Sequence, residues 1–319
     1  MVAAIKRQAR LDLLADVAEL YYVRNENQEQ IARRLGVTRS MVSRMLSEAR
    51  ELGMITVHIE RPINQNIEIG RQLCERFGLA QAVVVELHNG QPLLMQLAKA
   101  AAKVLSLSLE PDQVIGTSWG TAISATVDEI YLDQPIPGLK VAQLLGSLGA
   151  HVKEYDGLSI VARLRDKVRG EGIFLNAPLL VENEAIAQVL MSSKGVQETL
   201  KIGSQARIAL LGIGSSVLAH SPYYLAGHMT AAEMQHMVAE GMVGDVCGIF
   251  FDINGQPSSI EIQNRIIGIP INSFMNIPSR LGVAGGPEKV MPILGAVRGK
   301  YINILVTDSM TAQSVLNQS

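Results

Sequence analysis

Residues 27–59 read NQEQIARRLGVTRSMVSRMLSEARELGMITVHI, two short helical patterns divided by a single glycine. Asn27 and Gln30 have the spacing of a capping box, in which each side chain satisfies a backbone N–H left open by the first turn of a helix. Ile31, Ala32 and Leu35 give that helix its apolar face, and Gly36, free to take a positive φ, ends it. Thr38 is placed to cap the next helix. Val42, Met45, Leu46 and Ala49 form its inner face, and the pattern stops near Gly53. Arg39, Ser40, Ser43, Arg44 and Ser47 are left outside. Two capped helices, a tight turn and an Arg/Ser outer face over residues 27–50 describe a helix-turn-helix, whose second helix can lie in the major groove of double-stranded DNA.

Each outward residue has a use in such an interface. Arg39 and Arg44 can reach guanine edges or phosphates, and Ser40 and Ser43 are short enough for close backbone approach or water-mediated contact. Gln28 and Arg33 can fix the phosphate register, and Thr38 sits where the reading helix begins. Arginine clusters are ordinarily solvated surface; here the caps, the turn and the following strand make the functional case together.

Upstream, Leu11, Leu14, Ala15, Ala18 and Tyr22 form one stripe of a first helix. That stripe serves either the core or an interface between copies. Downstream, MITVHIE at residues 54–60 alternates as a strand through Ile55, Val57 and Ile59, and Arg61-Pro62 closes it. A DNA-binding domain over residues 1–61 is therefore expected, with a second domain over residues 62–319. Charge divides in the same way. Residues 1–61 hold ten Lys/Arg against eight Asp/Glu, whereas the remainder holds 18 against 22. The whole chain, at −2, has no global attraction to nucleic acid or to an acidic membrane surface, so any DNA affinity must be local.

At 319 residues, 48% hydrophobic and 18% charged, the chain has the length and composition of a two-domain globular protein. Cys74 and Cys247 make neither a disulfide framework nor a zinc pattern, which fits a reducing cytoplasm. No apolar run is long enough to span a bilayer, and Lys6, Arg7 and Arg10 precede no signal core, so neither a membrane partner nor export is expected. His88, His151, His220, His228 and His236 lack ligand spacing, and no GxxxxGK[ST] occurs. No metal or cofactor is expected.

From residue 63 strands alternate with helices, as in βαβ crossovers around a mainly parallel sheet. Five apolar strands run into small-residue turns: QVIGTSWGT, KVAQLLGSLG, RIALLGIGSS, RLGVAGGPEK and YINILVTDSMT. Ligands of open parallel sheets settle beyond the carboxyl ends of strands. In GTSWGT, Gly116 and Gly120 allow close approach, Thr117, Ser118 and Thr121 offer hydroxyls, and the next helix directs its positive end to the same place. Trp119 is either a packing residue or a cover for a sugar ring. Gly146 and Ser147 in LLGSLG, and Gly214 in GIGS, are weak signals of ligand contact, since Gly and Ser at strand ends are ordinary loop chemistry. Asp245 and Lys289 read alone as a salt bridge or solvated charges, although a Lys in the first turn of a helix gains nothing from the helix dipole.

The run at residues 27–59, followed by IGTSWGTAI at 115–123, GIGS at 212–215, GDVCGIFFDINGQ at 244–256, RIIGIP at 265–270 and AGGPEKVMPILGAVRGKYINILVTD at 284–308, resembles the SorC family of bacterial sugar-responsive transcriptional regulators along nearly the whole chain. The resemblance implies an effector domain similar in fold to sugar-phosphate isomerases and glucosamine phosphate deaminases, and a homodimer or homotetramer. It also places the acidic residue of GD, here Asp245, and the Lys of AGG-x-x-K, here Lys289, in an effector pocket. On this reading Asp245 accepts from sugar hydroxyls and Lys289 binds an anionic or carbonyl-derived oxygen. A sugar phosphate is the effector the resemblance suggests. The bulky Trp119 in GTSWGT departs from the GGTT-like turns of phosphate-binding members and keeps a free sugar or polyol open. The alternative function is a sugar-phosphate isomerase or deaminase-like enzyme carrying a DNA module, with Asp245 and Lys289 as acid or base.

Overall fold

The computed structural model describes residues 2–55, 63–88, 90–149 and 154–318. They form two compact units, Met1–Pro62 and Ile63–Ser319.

The first unit contains α1 (Val2–Tyr22), α2 (Gln28–Leu35) and α3 (Arg39–Glu51). Its core is Leu14, Val17, Leu20, Ile31, Ala32, Val42, Met45, Leu46 and Ala49. The inner face of α1 differs from the stripe expected from sequence: Ala15 and Tyr22 face solvent, while Val17 and Leu20 are buried with Leu14. Spacings of three and six residues from Leu14 put these larger side chains on one face, and burying them removes more apolar surface than burying Ala15 would. The α2 caps follow the sequence reading. Asn27 Oδ1 accepts from the N–H groups of Glu29 and Gln30 at 3.1 and 3.0 Å, and Gln30 Oε1 accepts from the Asn27 N–H at 2.8 Å. Gly36 has φ +66° and ends the helix. The expected strand at 54–60 falls largely outside the described residues. Ile55 packs beside the core in irregular backbone.

The second unit begins with α4 (Ile67–Phe77), β1 (Gln81–Val85), α5 (Leu93–Leu107), β2 (Val114–Thr117), α6 (Thr121–Glu129) and β3 (Lys140–Gln143). Next come α7 (Gly157–Val168), β4 (Glu171–Ile173), α8 (Glu184–Ser192), α9 (Lys194–Gly203) and β5 (Ile208–Gly212). The chain then leaves the sheet through β6 (Gly214–Ser215), α10 (Pro222–Leu225), α11 (Ala231–Ala239), β7 (Met242–Val246), β8 (Ile249–Asp252) and α12 (Ile271–Met275). It returns with β9 (Ser279–Val283), α13 (Val290–Arg298), β10 (Ile304–Asp308) and α14 (Ser309–Asn317).

Seven strands form a parallel sheet in the order β1-β10-β9-β5-β2-β3-β4. Buried aliphatic residues such as Val83, Val84, Ile115, Val141, Leu210, Leu211, Leu305 and Val306 make its strands near-continuous apolar runs, as expected when helices cover both faces. From β2 the chain moves outward to β3 and β4, then returns to lay β5 on the other side of β2. The carboxyl ends of β2 and β5 therefore flank a topological switch point, where a crevice opens in such sheets. The run VCGIFFDI lies outside the parallel sheet. It forms most of an antiparallel hairpin, β7 and β8, which with β6 makes a second sheet of three strands. No helix among the described residues is long and apolar enough to cross a membrane.

Candidate functional site

On the first unit, α3 presents Arg39, Ser40, Ser43 and Arg44 to solvent. Thr38 Oγ1 caps the helix by accepting from the Met41 N–H at 3.3 Å and also bonds Ser40 Oγ at 2.9 Å. The arginines of this unit differ in what they hold. Arg10 pairs with Glu48 at 2.5 Å, Arg24 with Glu19 at 2.9 Å, and Arg34 with Glu26 at 2.8 Å. Arg50 donates to the Tyr22 hydroxyl at 3.1 Å. Arg33, expected to face phosphate, is exposed but pairs with Glu29 one turn away at 2.8 Å. Arg39 and Arg44 have no carboxylate partner among the described residues. Gln28, half-buried, begins α2. Sequence reading missed Met41, 43% exposed between Ser40 and Val42. Its apolar side chain has the chemistry to meet a thymine methyl.

In the second unit a cavity of about 390 Å³ opens beyond the carboxyl ends of β2, β5 and β9. Ser118, Trp119, Gly120 and Thr121 line it from the turn after β2, and Gly212, Ile213 and Gly214 from the turn after β5. Val283, Ala284, Gly285, Glu288 and Lys289 line it from the turn after β9. Leu93, Leu94 and Leu97 of α5, with Leu145, Tyr155 and Leu225, complete an apolar wall, and Asp245 and Cys247 enter from the antiparallel hairpin. Seven of the expected effector residues thus share one cavity: Ser118, Trp119, Gly120, Thr121, Gly214, Asp245 and Lys289.

Four others lie elsewhere. Gly116 and Thr117 are inside β2, where a Cβ on Gly116 would press on Leu144 at 2.7 Å, and Thr117 Oγ1 donates to the Leu210 carbonyl at 3.3 Å. Gly146 abuts the backbone at Pro178 and Leu179. Ser147 Oγ accepts from Gln143 Nε2 at 3.1 Å. Each is a packing position whose small size or hydroxyl serves neighbouring strands and loops.

The hairpin turn explains the position of Asp245. Cys247 and Gly248, at φ +52° and +75°, form a two-residue loop with both residues in the left-handed region, the type whose twist suits antiparallel strands. The Gly248 N–H donates to Asp245 Oδ2 at 3.2 Å, and the Tyr223 hydroxyl donates to the same oxygen at 3.1 Å. Gly214 stands opposite Asp245 in the β6–β7 pair, and a Cβ there would overlap Asp245 Oδ1. Burial pushes the Asp245 carboxyl up to about 6, although the Gly248 N–H, Tyr223 and the Lys289 charge pull it down. Burial likewise lowers Lys289, opposed by Asp245 and Glu288, and its Nζ donates to the Ile213 carbonyl at 2.7 Å. Lys289 closes a one-turn 3₁₀ segment, Pro287–Lys289, ahead of α13.

Trp119 is 7% exposed and packs edge-on against Tyr223, with ring centres 5.2 Å apart. Tyr223 in turn meets Phe250 at 5.1 Å. Trp119 is thus a packing residue that also forms part of the cavity wall. Sequence reading missed Tyr223, because one Tyr of the pair Tyr223-Tyr224, 22 positions before its partner, carries no spacing signal. Polar groups at two levels, a buried carboxylate and a half-buried ammonium among apolar walls, can bind and orient a polyhydroxy molecule. Among the described residues, no group of three or more His, Cys, Asp or Glu is arranged to hold a metal ion.

Residues 61–317 match the family described as "Putative sugar-binding domain", and residues 15–51 match Sigma-70, region 4. The sorbitol operon regulator of Klebsiella pneumoniae is 30% identical over 307 residues, covering 95% of this chain and 97% of that protein. The full-length crystal structure of that regulator superposes with a TM-score of 0.73 at 29% identity, covering 96% of this chain and 99% of the other. The deoxyribonucleoside regulator of Bacillus subtilis (strain 168) is 28% identical, covering 96% of this chain and 97% of its own length. The transcriptional regulator LsrR of Escherichia coli (strain K12) is 30% identical, covering 95% and 94% respectively. Similarity that extends end to end, through both the N-terminal helices and the cavity-bearing domain, leads to one assignment: the chain belongs to the SorC family of sugar-binding transcriptional regulators.

Proposed function

We propose that this protein is a DNA-binding transcriptional regulator whose operator affinity is set by a sugar, polyol or sugar phosphate held in the cavity of its second unit. The observation that carries this reading is the outer face of α3, where Arg39 and Arg44 stand exposed without carboxylate partners among the described residues while neighbouring arginines are paired. Arg39, Ser40, Ser43 and Arg44 contact DNA, with Gln28, Arg33 and Thr38 holding the register. The relatives named for a sorbitol operon and for deoxyribonucleosides support a metabolic effector. Ser118, Trp119, Gly120, Thr121, Gly214, Asp245 and Lys289 form its site. Gly116, Thr117, Gly146 and Ser147 support that site through packing. The effector changes operator affinity by binding the free and DNA-bound arrangements unequally. Two or four copies present paired reading helices to paired half-sites.

Titration of a fluorescent operator fragment tests the reader. Arg44→Ala should weaken binding by about 1–3 kcal/mol and leave effector affinity unchanged, as expected for a base-reading arginine. Unaltered operator affinity would remove Arg44 from the interface. The buried Asp245 and the nearby Lys289 favour a second reading, an isomerase or deaminase acting on sugar phosphates. Incubation with a sugar-phosphate panel separates the two. Binding without product formation is expected, and catalytic turnover would establish the enzyme.

A further inference from the structure

What an arginine on a helix surface can reach depends on what lies one turn away. Side chains three or four positions apart are neighbours there, and an arginine with a carboxylate at that spacing can pair with it. Arg33 shows the result, since Glu29, four positions back, holds it at 2.8 Å. Arg39 has Leu35, Gly36, Val42 and Ser43 at those spacings, so its own helix and turn offer it no acid. Arg44 differs. Ser40, Met41 and Ser47 carry no charge, but Glu48 stands one turn on. Spacing alone would join Arg44 to Glu48, yet Arg44 has no carboxylate partner among the described residues.

The reason lies on α1. Arg10 reaches across to Glu48 and takes both of its oxygens, Nη2 donating to Oε2 at 2.5 Å and Nε to Oε1 at 3.4 Å. Leu14, one turn after Arg10, is buried in the core that α1 shares with Val42, Met45, Leu46 and Ala49 of α3, which fixes the helix from which Arg10 extends. An arginine that precedes its acid along a helix makes the weaker of the two possible orders, so the two-point grip of Arg10 wins Glu48 from Arg44. Both partners of the Arg10–Glu48 pair are exposed, and such pairs add little to stability. What the pair changes is the surroundings of Arg44.

Resting on the reading of α3 as the DNA-contacting helix, we propose that Arg10 is a positioning residue for sequence recognition: by occupying Glu48 it keeps the Arg44 guanidinium free to meet a guanine edge. Arg10 needs no contact with DNA for this role. In its absence Glu48 captures Arg44 in the free protein. A correct site must then break that pair before Arg44 can read it, whereas an incorrect site leaves the pair intact. The loss falls on discrimination between sequences rather than on attraction to phosphate.

The test uses the full chain and double-stranded DNA fragments that it selects from a random-sequence pool, titrated at low salt, where surface pairs are strongest. Arg44→Ala identifies the base pair that Arg44 reads, as the position where a change in the DNA ceases to matter. For the unmodified protein that change should cost about tenfold in affinity. Arg10→Ala should reduce this ratio about twofold, the scale of one helix-surface ion pair. Combining Arg10→Ala with Glu48→Gln, which removes the competing charge, should restore the ratio, and Glu48→Gln alone should leave it unchanged. Arg10→Lys, which still holds Glu48, should also keep it. Melting curves of each variant report that the first unit is folded at the titration temperature. Were the pair only a brace between α1 and α3, Glu48→Gln would do the same harm as Arg10→Ala and rescue nothing. Were Arg10 only a phosphate contact, its loss would weaken every sequence alike and leave the ratio unmoved. Either result overturns the positioning role and leaves Arg44 standing as a reader. A pool that yields no preferred sequence, or an Arg44→Ala variant that alters the response to no base pair, overturns Arg44 as a base reader and this proposal with it.

Discussion

A buried carboxylate is costly unless donors surround it, and Asp245 is met by the Gly248 N–H and the Tyr223 hydroxyl without being fully compensated. Its carboxyl is raised to about 6, so the native protein keeps a proton that the unfolded chain has already released. The associated stability is fully present below the unfolded pKa, near 4, and declines as pH rises through about 6, on the order of 3 kcal/mol in all. Asp245→Asn should flatten this part of the stability profile, as measured by urea midpoints between about pH 4 and pH 7. An equally steep profile in the variant would place the titration elsewhere. Asp245 and Lys289 were legible as cavity residues only through the family resemblance, since read alone they were a salt bridge or solvated charges. Tyr223 was not, because what makes it matter is a contact across the fold. Thr117 and Ser118 show the same limit at closer range: one step along the chain exchanges a strand interior for a cavity wall, and composition does not distinguish them.

At the level of elements, the reading helix depends on its neighbour being properly started and stopped. Asn27 and Gln30 satisfy the first-turn N–H groups of α2, and Gly36 turns the chain toward Thr38 at φ +66°. Replacing Asn27 with Ala should destabilise the first unit by about 1 kcal/mol, visible as an earlier melt of that unit. Operator affinity measured well below that melt should change less than with Arg44→Ala, since no candidate base contact is touched. These caps were legible because their chemistry is local. The face of α1 was not, since alanines and larger aliphatics offer more than one stripe and packing on α3 selects Leu14, Val17 and Leu20. The β7–β8 hairpin was also hidden. Its apolar run resembles a buried parallel strand, and Cys247 at φ +52° is an unusual occupant of a position where Gly, Asn or Asp is the recognisable signal.

For the molecule as a whole, the alternation of strands and helices foretold the parallel sheet, but the order of its strands required long-range pairing that no local pattern records. Every described residue lining the cavity belongs to the second unit. A fragment beginning at residue 63 should therefore retain the ligand-induced rise in melting temperature and lose operator binding. A fragment that folds but no longer responds to a ligand of the full chain would show that the cavity needs the first unit. The neighbours in the sheet also set a timetable. β10 lies between β1 and β9, pairing Gln81 with Ile304 at one end and Val85 with Asp308 at the other, so the opening strand of this unit waits for the last one. The reader's helices are all encoded by residue 51. During synthesis on the ribosome, the DNA-reading surface is ready early, and the sensor that governs it is finished only when the final strand emerges. A product cut short before Ile304 would keep α3 and lack the strand that joins β1 to β9, leaving the sheet beneath the cavity split and the reader without its metabolite control.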